Sequence, residues 1–153
     1  MKKTAISALI VVAVGFILWL VFAGYSNTDD GETPAQSGET TYFNASEDNI
    51  KVTLPFPGAV VSHEFTVRGE ARGPWFFEAS FPVYVADTAG NELAVGIATA
   101  EGEWMTEDYV PFSAPVTVPS GFSGEAILIL VRDNPSGLPE NDAYASFPIS
   151  VSE

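Results

Sequence analysis

The sequence predicts an all-β domain behind a single N-terminal transmembrane helix. The domain expected is an immunoglobulin- or fibronectin-like antiparallel sandwich of about seven strands. Three observations predict it. Residues Ala5 to Ala23 form an apolar run without a charge. After Ala23 no stretch keeps a helical period. Instead, short segments alternate apolar and polar residues, with turn signals roughly every 8–12 positions. One of these segments, Gly73 to Gly90, places Trp75, Phe77, Ala79, Phe81, Val83 and Val85 in one register. Alternate residues of a strand share a face, so this is an apolar wall that a second sheet must cover.

Taken in order, Met1 to Thr4 are a basic lead, read as cytoplasmic. Ala5 to Ala23, as a helix rising about 1.5 Å per residue, reaches roughly 28 Å, close to the thickness of a bilayer core. The two preceding lysines orient it so that the remainder is exported. The length favours a retained signal-anchor. The rival reading is a signal peptide cleaved after Ala23, with the domain secreted. Gly24 to Asn49 is polar, acidic and aperiodic. It reads as a flexible tether holding the domain about 25–30 Å from the membrane. Tyr42 and Phe43 are its candidates for packing on the domain.

The domain itself is expected from Ile50 to Glu153. Ile50, Val52 and Leu54 alternate in a first strand. Phe65, Val67, Gly69 and Ala71 alternate in a second, and the aromatic segment is the third. Pro82 cannot donate to a ladder, so that strand is expected to be at an edge, bulged or broken there. Leu93 to Ala100 is a weaker fourth strand. A fifth begins at Tyr109, is interrupted at Pro115 and resumes at Val116. Gly124 to Arg132 is almost continuously apolar, as in a central strand buried on both faces. Asp133 to Asp142 is a loop by composition, and Tyr144 to Val151 is the last strand.

Arg72 to Val83 (R-G-P-W-F-F-E-A-S-F-P-V), Gly102 to Thr106 (G-E-W-M-T) and Asp133 to Glu140 (D-N-P-S-G-L-P-E) occur together with the opening Ile50 to Gly58 (I-K-V-T-L-P-F-P-G). In this order the four blocks resemble the immunoglobulin-like domain of bacterial spore germination proteins, the second type of GerMN-associated domain. The resemblance covers about Ile50 to Ser152. It implies an immunoglobulin-like fold and a germination-related or general envelope role, and it brings no catalytic residue.

Charge and composition narrow the function. The chain has 20 acidic and 6 basic residues. Without Lys2 and Lys3 the balance is −16, which opposes binding to nucleic acid or to anionic lipid. Contact with a membrane is expected through the N-terminal helix only. There is no cysteine, so neither a disulfide nor a thiolate site can form, and an exported chain of this kind leans bacterial.

Few side chains suggest chemistry. The one histidine, His63, reads as a solvent-facing turn residue rather than a catalytic base. Glu78 interrupts the aromatic strand and is expected to pair with Arg72 or Arg68 across the sheet. Lys51 is expected to point outward from its strand. Asp133, Asn134, Ser136, Glu140 and Asp142 crowd one loop and form a candidate calcium site. They lack the EF-hand spacing, and a rigid turn is the competing reading. Trp104 and Met105 lie in a polar turn. With Phe76 and Tyr109 they form the candidate binding surface, because an exposed Trp beside Met is the composition of an interface hot spot. Trp75 reads as core.

No enzyme activity and no cofactor are expected. The leading expectation is a membrane-anchored extracytoplasmic module binding another envelope protein or itself. The alternative is a module binding cell-wall or extracellular glycan.

Overall fold

A computed structural model describes residues 38–153 of the chain. The expected transmembrane segment, the lead and the expected tether as far as residue 37 lie outside the described residues. Within them, no helix is long and apolar enough to cross a membrane.

The described chain is built of nine strands. They are β1 (Thr41–Phe43), β2 (Ile50–Leu54), β3 (Val60–Val61), β4 (Glu64–Arg72), β5 (Ser80–Asp87), β6 (Glu92–Ala100), β7 (Tyr109–Thr117), β8 (Gly124–Val131) and β9 (Tyr144–Val151). The seven longest are the seven expected. The ladder runs β1-β9-β8-β5-β6-β7-β4-β2, with β3 on β9. All pairings are antiparallel except β3 with β9.

The ladder folds into two layers because β6 belongs to both. It pairs with β5 from Ser80↔Thr99 to Ala86↔Glu92, but with β7 only at Thr99↔Ser113 and Ala100↔Phe112. Gly96 permits the approach, since a Cβ there would stand 2.7 Å from the Pro115 carbonyl oxygen. The short contact also explains why β7 is continuous through Pro111 and Pro115. The Pro111 carbonyl accepts the Glu101 amide on the β6 side, so the N–H that proline lacks would face that side too, where little ladder exists.

The core lies between β2-β4-β7 and β6-β5-β8-β9. Phe81, Phe112, Phe147, Leu128 and Ile149 are among its largest fully buried side chains. β8 is central, between β5 and β9, and is buried on both faces as its composition predicts. Its opposite side packs Ile127, Ile129 and Val131 with Tyr84 and Tyr144, and Phe43 stacks on Tyr144 at 5.1 Å.

Two expectations are corrected. The domain starts before Ile50: Gly38 lies against Pro57, and β1 pairs Thr41 to Phe43 with Ser146 to Tyr144. The last part of the expected tether is therefore a strand of the domain. The aromatic segment is also not one strand. Gly73–Trp75 is a 3-10 turn with Pro74 in it, and Phe77 and Ser80 then close a tight turn through mutual backbone bonds of 3.0 and 3.1 Å. Glu78 and Ala79 make that turn with φ of 50° and 62°. Phe77 is consequently 42% exposed, off the apolar wall. Pro82 sits inside β5, one residue before pairing with β8 begins at Val83.

Candidate functional site

Four loops meet at one end of the sandwich: 44–49, 73–79, 101–108 and 132–143. Backbone bonds tie them together. The Arg72 amide donates to Asn49 O at 2.9 Å, Gly73 N to Asp108 O at 3.3 Å, and Asp133 N to Trp75 O at 3.1 Å. Asn44 Nδ2 donates to Asp142 O at 3.0 Å. Gly73 is required here, because a Cβ would run into the carbonyl oxygens of Trp104 and Thr106. Beneath the loops, Phe81 meets the rings of Trp75, Phe76 and Phe112 edge-on, with centroids 6.4, 5.2 and 4.9 Å away.

Two concavities flank the Pro74 turn. One is an open groove of about 330 Å³ that brings together Phe76, Trp104 and Met105. Met105 is 74% exposed, while Trp104 is half-buried against the core. Phe76 is only 4% exposed, so it forms the floor and offers no face to a partner, contrary to the expectation. Tyr109 is not in the groove. Its hydroxyl donates to Asp48 O at 3.1 Å, and its ring lies under Lys51 Nζ at 4.2 Å and the Arg72 guanidinium at 4.0 Å.

The second concavity is a cleft of about 470 Å³ between Arg72, Arg132, Trp75 and the 44–49 loop. Sequence reasoning did not find it. A signal existed, since two of the four bases beyond the N-terminal lysines sit at the borders of resembling blocks, Arg72 opening one and Arg132 preceding another. Phe77 and Leu138 were missed as well. With Met105 they are the exposed large apolar side chains of this end, and each comes from a different loop.

The remaining candidates lie as follows. In the 133–142 loop, Asn134 Nδ2 donates to Asp142 Oδ1 at 2.7 Å and to Leu138 O at 2.8 Å. Ser136 Oγ accepts from Leu138 N and Asn141 Nδ2. The side chains thus organise the turn itself, and Glu140 stands exposed in it. Among the described residues no cluster of three carboxylate or histidine groups forms. Burial, then the charge of Glu78, raises the Asp133 carboxyl above its ordinary 3.8.

Glu78 makes no ion pair with Arg72 or Arg68, because the tight turn carries it away from the sheet. The ion pair among the described residues joins Lys51 and Glu70 at 3.7 Å. His63 is half-buried at the other end, where its Nε2 lies 2.8 Å from Phe122 O.

Residues 49–137 match the family model of the immunoglobulin-like domain of bacterial spore germination. The chain belongs to this family. The match spans the 73–79 and 101–108 loops and Arg132, so the germination-type immunoglobulin-like domain holds most of the site. At the coarse level this makes it an immunoglobulin-like interaction module. No curated protein and no solved structure gives a significant match to the chain.

Proposed function

We propose that the protein is a non-enzymatic, membrane-tethered module of the bacterial cell envelope whose four-loop end binds a partner protein. One observation carries this reading. Three loops distant in sequence each present one large apolar side chain at that end: Phe77, Met105 and Leu138. Single exposed apolar residues are ordinary, but three on separate loops of one end, one of them lining a groove, have the composition of an interface. Met is adaptable and suits contacts between proteins.

The direction of the chain supports the same reading. Gly38 enters beside Pro57, and β1 runs antiparallel to β9, so the tether joins the end remote from the four loops. With Ala5 to Ala23 in a membrane, the four loops face outward. The family's association with spore germination directs the search to envelope proteins of germinating spores.

A photo-crosslinking residue at Met105, with a second placed at Thr88 in the opposite end, tests this in cells. The expected result is an adduct from position 105 that position 88 does not give and that Phe77→Asp with Leu138→Asp removes. Equal adducts from both positions, or none from 105, would overturn the reading.

A further inference from the structure

The chain is strongly acidic, yet two of its four cations beyond Lys3 line one cleft. Among the described residues neither Arg72 nor Arg132 has a carboxylate within ion-pair reach, and the pair that does form is elsewhere. Both guanidinium groups are instead held by backbone. Arg72 Nε donates to Asp48 O at 3.1 Å and Nη1 to Glu107 O at 3.1 Å. Arg132 Nε donates to Pro74 O at 3.2 Å. A guanidinium has five N–H groups in a fixed fork. Most of these donors remain without a partner among the described residues.

Arg72 is further held by its guanidinium lying 4.0 Å over the ring of Tyr109, its register partner across β4 and β7. Trp75, only 3% exposed, lines the same cleft, and its indole Nε1–H has no acceptor among the described residues. A buried donor without a partner is costly, so these donors favour an acceptor brought into the cleft.

Resting on the interface reading above, the geometry points to the Arg72–Arg132 cleft as a binding site for a carboxylate carried on a peptide of the partner protein. A carboxylate offers two oxygens and up to four acceptor positions, matching a guanidinium fork with charge-assisted bonds. A monoanion fits better than a phosphate dianion, whose second charge would stand beside Asp48 and Glu107 on the rim. The neighbouring groove with Met105 and Trp104 suits the apolar side chain that would flank the carboxylate in a peptide. Tyr109 is a positioning residue, acting through the Arg72 guanidinium.

The test is a titration of the full chain in detergent micelles, read by NMR at the Trp75 indole and the arginine Nε resonances. Five probes are used to several millimolar. They are acetyl-Leu-Glu-Leu-amide, acetyl-Leu-Gln-Leu with a free C-terminus, acetyl-Leu-Gln-Leu-amide, trigalacturonic acid and inorganic phosphate. Saturable shifts are expected with the first or second peptide and not with the third. Which of the two binds assigns the carboxylate to a side chain or to a chain end.

Arg132→Gln and Arg72→Gln should each weaken binding by tenfold or more. Arg132→Lys should restore part of it, and Arg68→Gln, outside the cleft, should leave it unchanged. Unfolding midpoints verify that each variant is folded, and Arg132→Lys decides should Arg132→Gln not fold. Equal binding of all three peptides would remove the carboxylate while leaving the interaction surface standing. Tighter binding of trigalacturonic acid or phosphate than of either acidic peptide would overturn the proposal. So would no response to either acidic peptide, or unchanged affinity in the folded arginine variants.

Discussion

At the end of the sandwich where the chain enters, tight turns with positive φ are made by glycine. Gly58 and Gly90 take φ of 81° and 86°. The polar groups there are consumed locally, as when Asp87 Oδ1 accepts the amides of Ala89 and Asn91 at 2.9 and 2.8 Å. At the four-loop end Gly102 and Gly137 also have positive φ, but Asn44, Glu78 and Ala79 join them, with φ of 48°, 50° and 62°. The left-handed region costs a residue with a Cβ about 1–2 kcal/mol, less for Asn. All three such residues of the described chain thus gather at one end, beside two arginines and an indole with donors to spare. Strain and unmade bonds persist where surrounding packing holds them, and they mark sites that act on something else. One end turns the chain at low cost, whereas the other holds a shape.

Small substitutions should therefore have opposite consequences at the two ends. The largest effect is expected at Gly73. Ala there collides with the backbone of Trp104 and Thr106 and should push the 101–108 loop off the Pro74 turn. The expected loss is about 1–3 kcal/mol by urea unfolding, in the range of overpacked sites. At the other end a Cβ on Gly121 meets nothing within 4 Å. Gly121→Ala should be neutral or gain about 0.4–1 kcal/mol by restricting the unfolded chain. Equal losses at both positions would erase the difference.

A smaller effect of opposite sign sharpens the comparison. Glu78 and Ala79 occupy a two-residue turn with both φ positive, a geometry that an Asn-Gly pair adopts far more readily. The double substitution Glu78→Asn with Ala79→Gly should raise stability by about 1 kcal/mol. An unchanged or lower unfolding midpoint would show that the turn is not strained.

The strands were legible because one wet face and one dry face impose a period of two, and β4 shows it without interruption. The strand buried on both sides was legible for the complementary reason, since Ala126 to Val131 contains no polar residue. Gly73 to Gly90 misled because alternation continues through Trp75, Phe77 and Ala79 while the backbone does not. Pro74 sets a 3-10 turn, and the following tight turn carries Glu-Ala where glycine or asparagine would have announced it. Trp104 and Met105 were legible as bulky residues in a polar turn. Phe76 and Tyr109 were misplaced, one as floor and the other as a ring beneath two cations. The arginine cleft was hidden because Arg72 ends β4 and Arg132 follows β8, 60 residues later, and only the ladder β4-β7-β6-β5-β8, folded into two layers, brings them to one place.

The smallest expected effect contrasts the ends by pH. The Asn91 side-chain amide, then its backbone N–H, holds the Asp87 carboxyl below its ordinary 3.8. A depressed native value contributes stability above the unfolded value, lost as pH falls through the native one. Asp87→Ala should therefore be less stable than wild type at pH 7, with the gap closing in acid below 3.8. Asp133 has the opposite sign. Its carboxyl is raised by burial and by Glu78, so the native state holds that proton more tightly than the unfolded chain does. The native state then loses stability as pH rises from 3.8 through the raised value. Asp133→Asn should be more stable than wild type at pH 7 and lose that advantage in acid. Urea midpoints of wild type and both variants between pH 2.5 and 7 check the pair. Shifts of the same sign at pH 7 would mean that the four-loop end does not hold its acid at a cost.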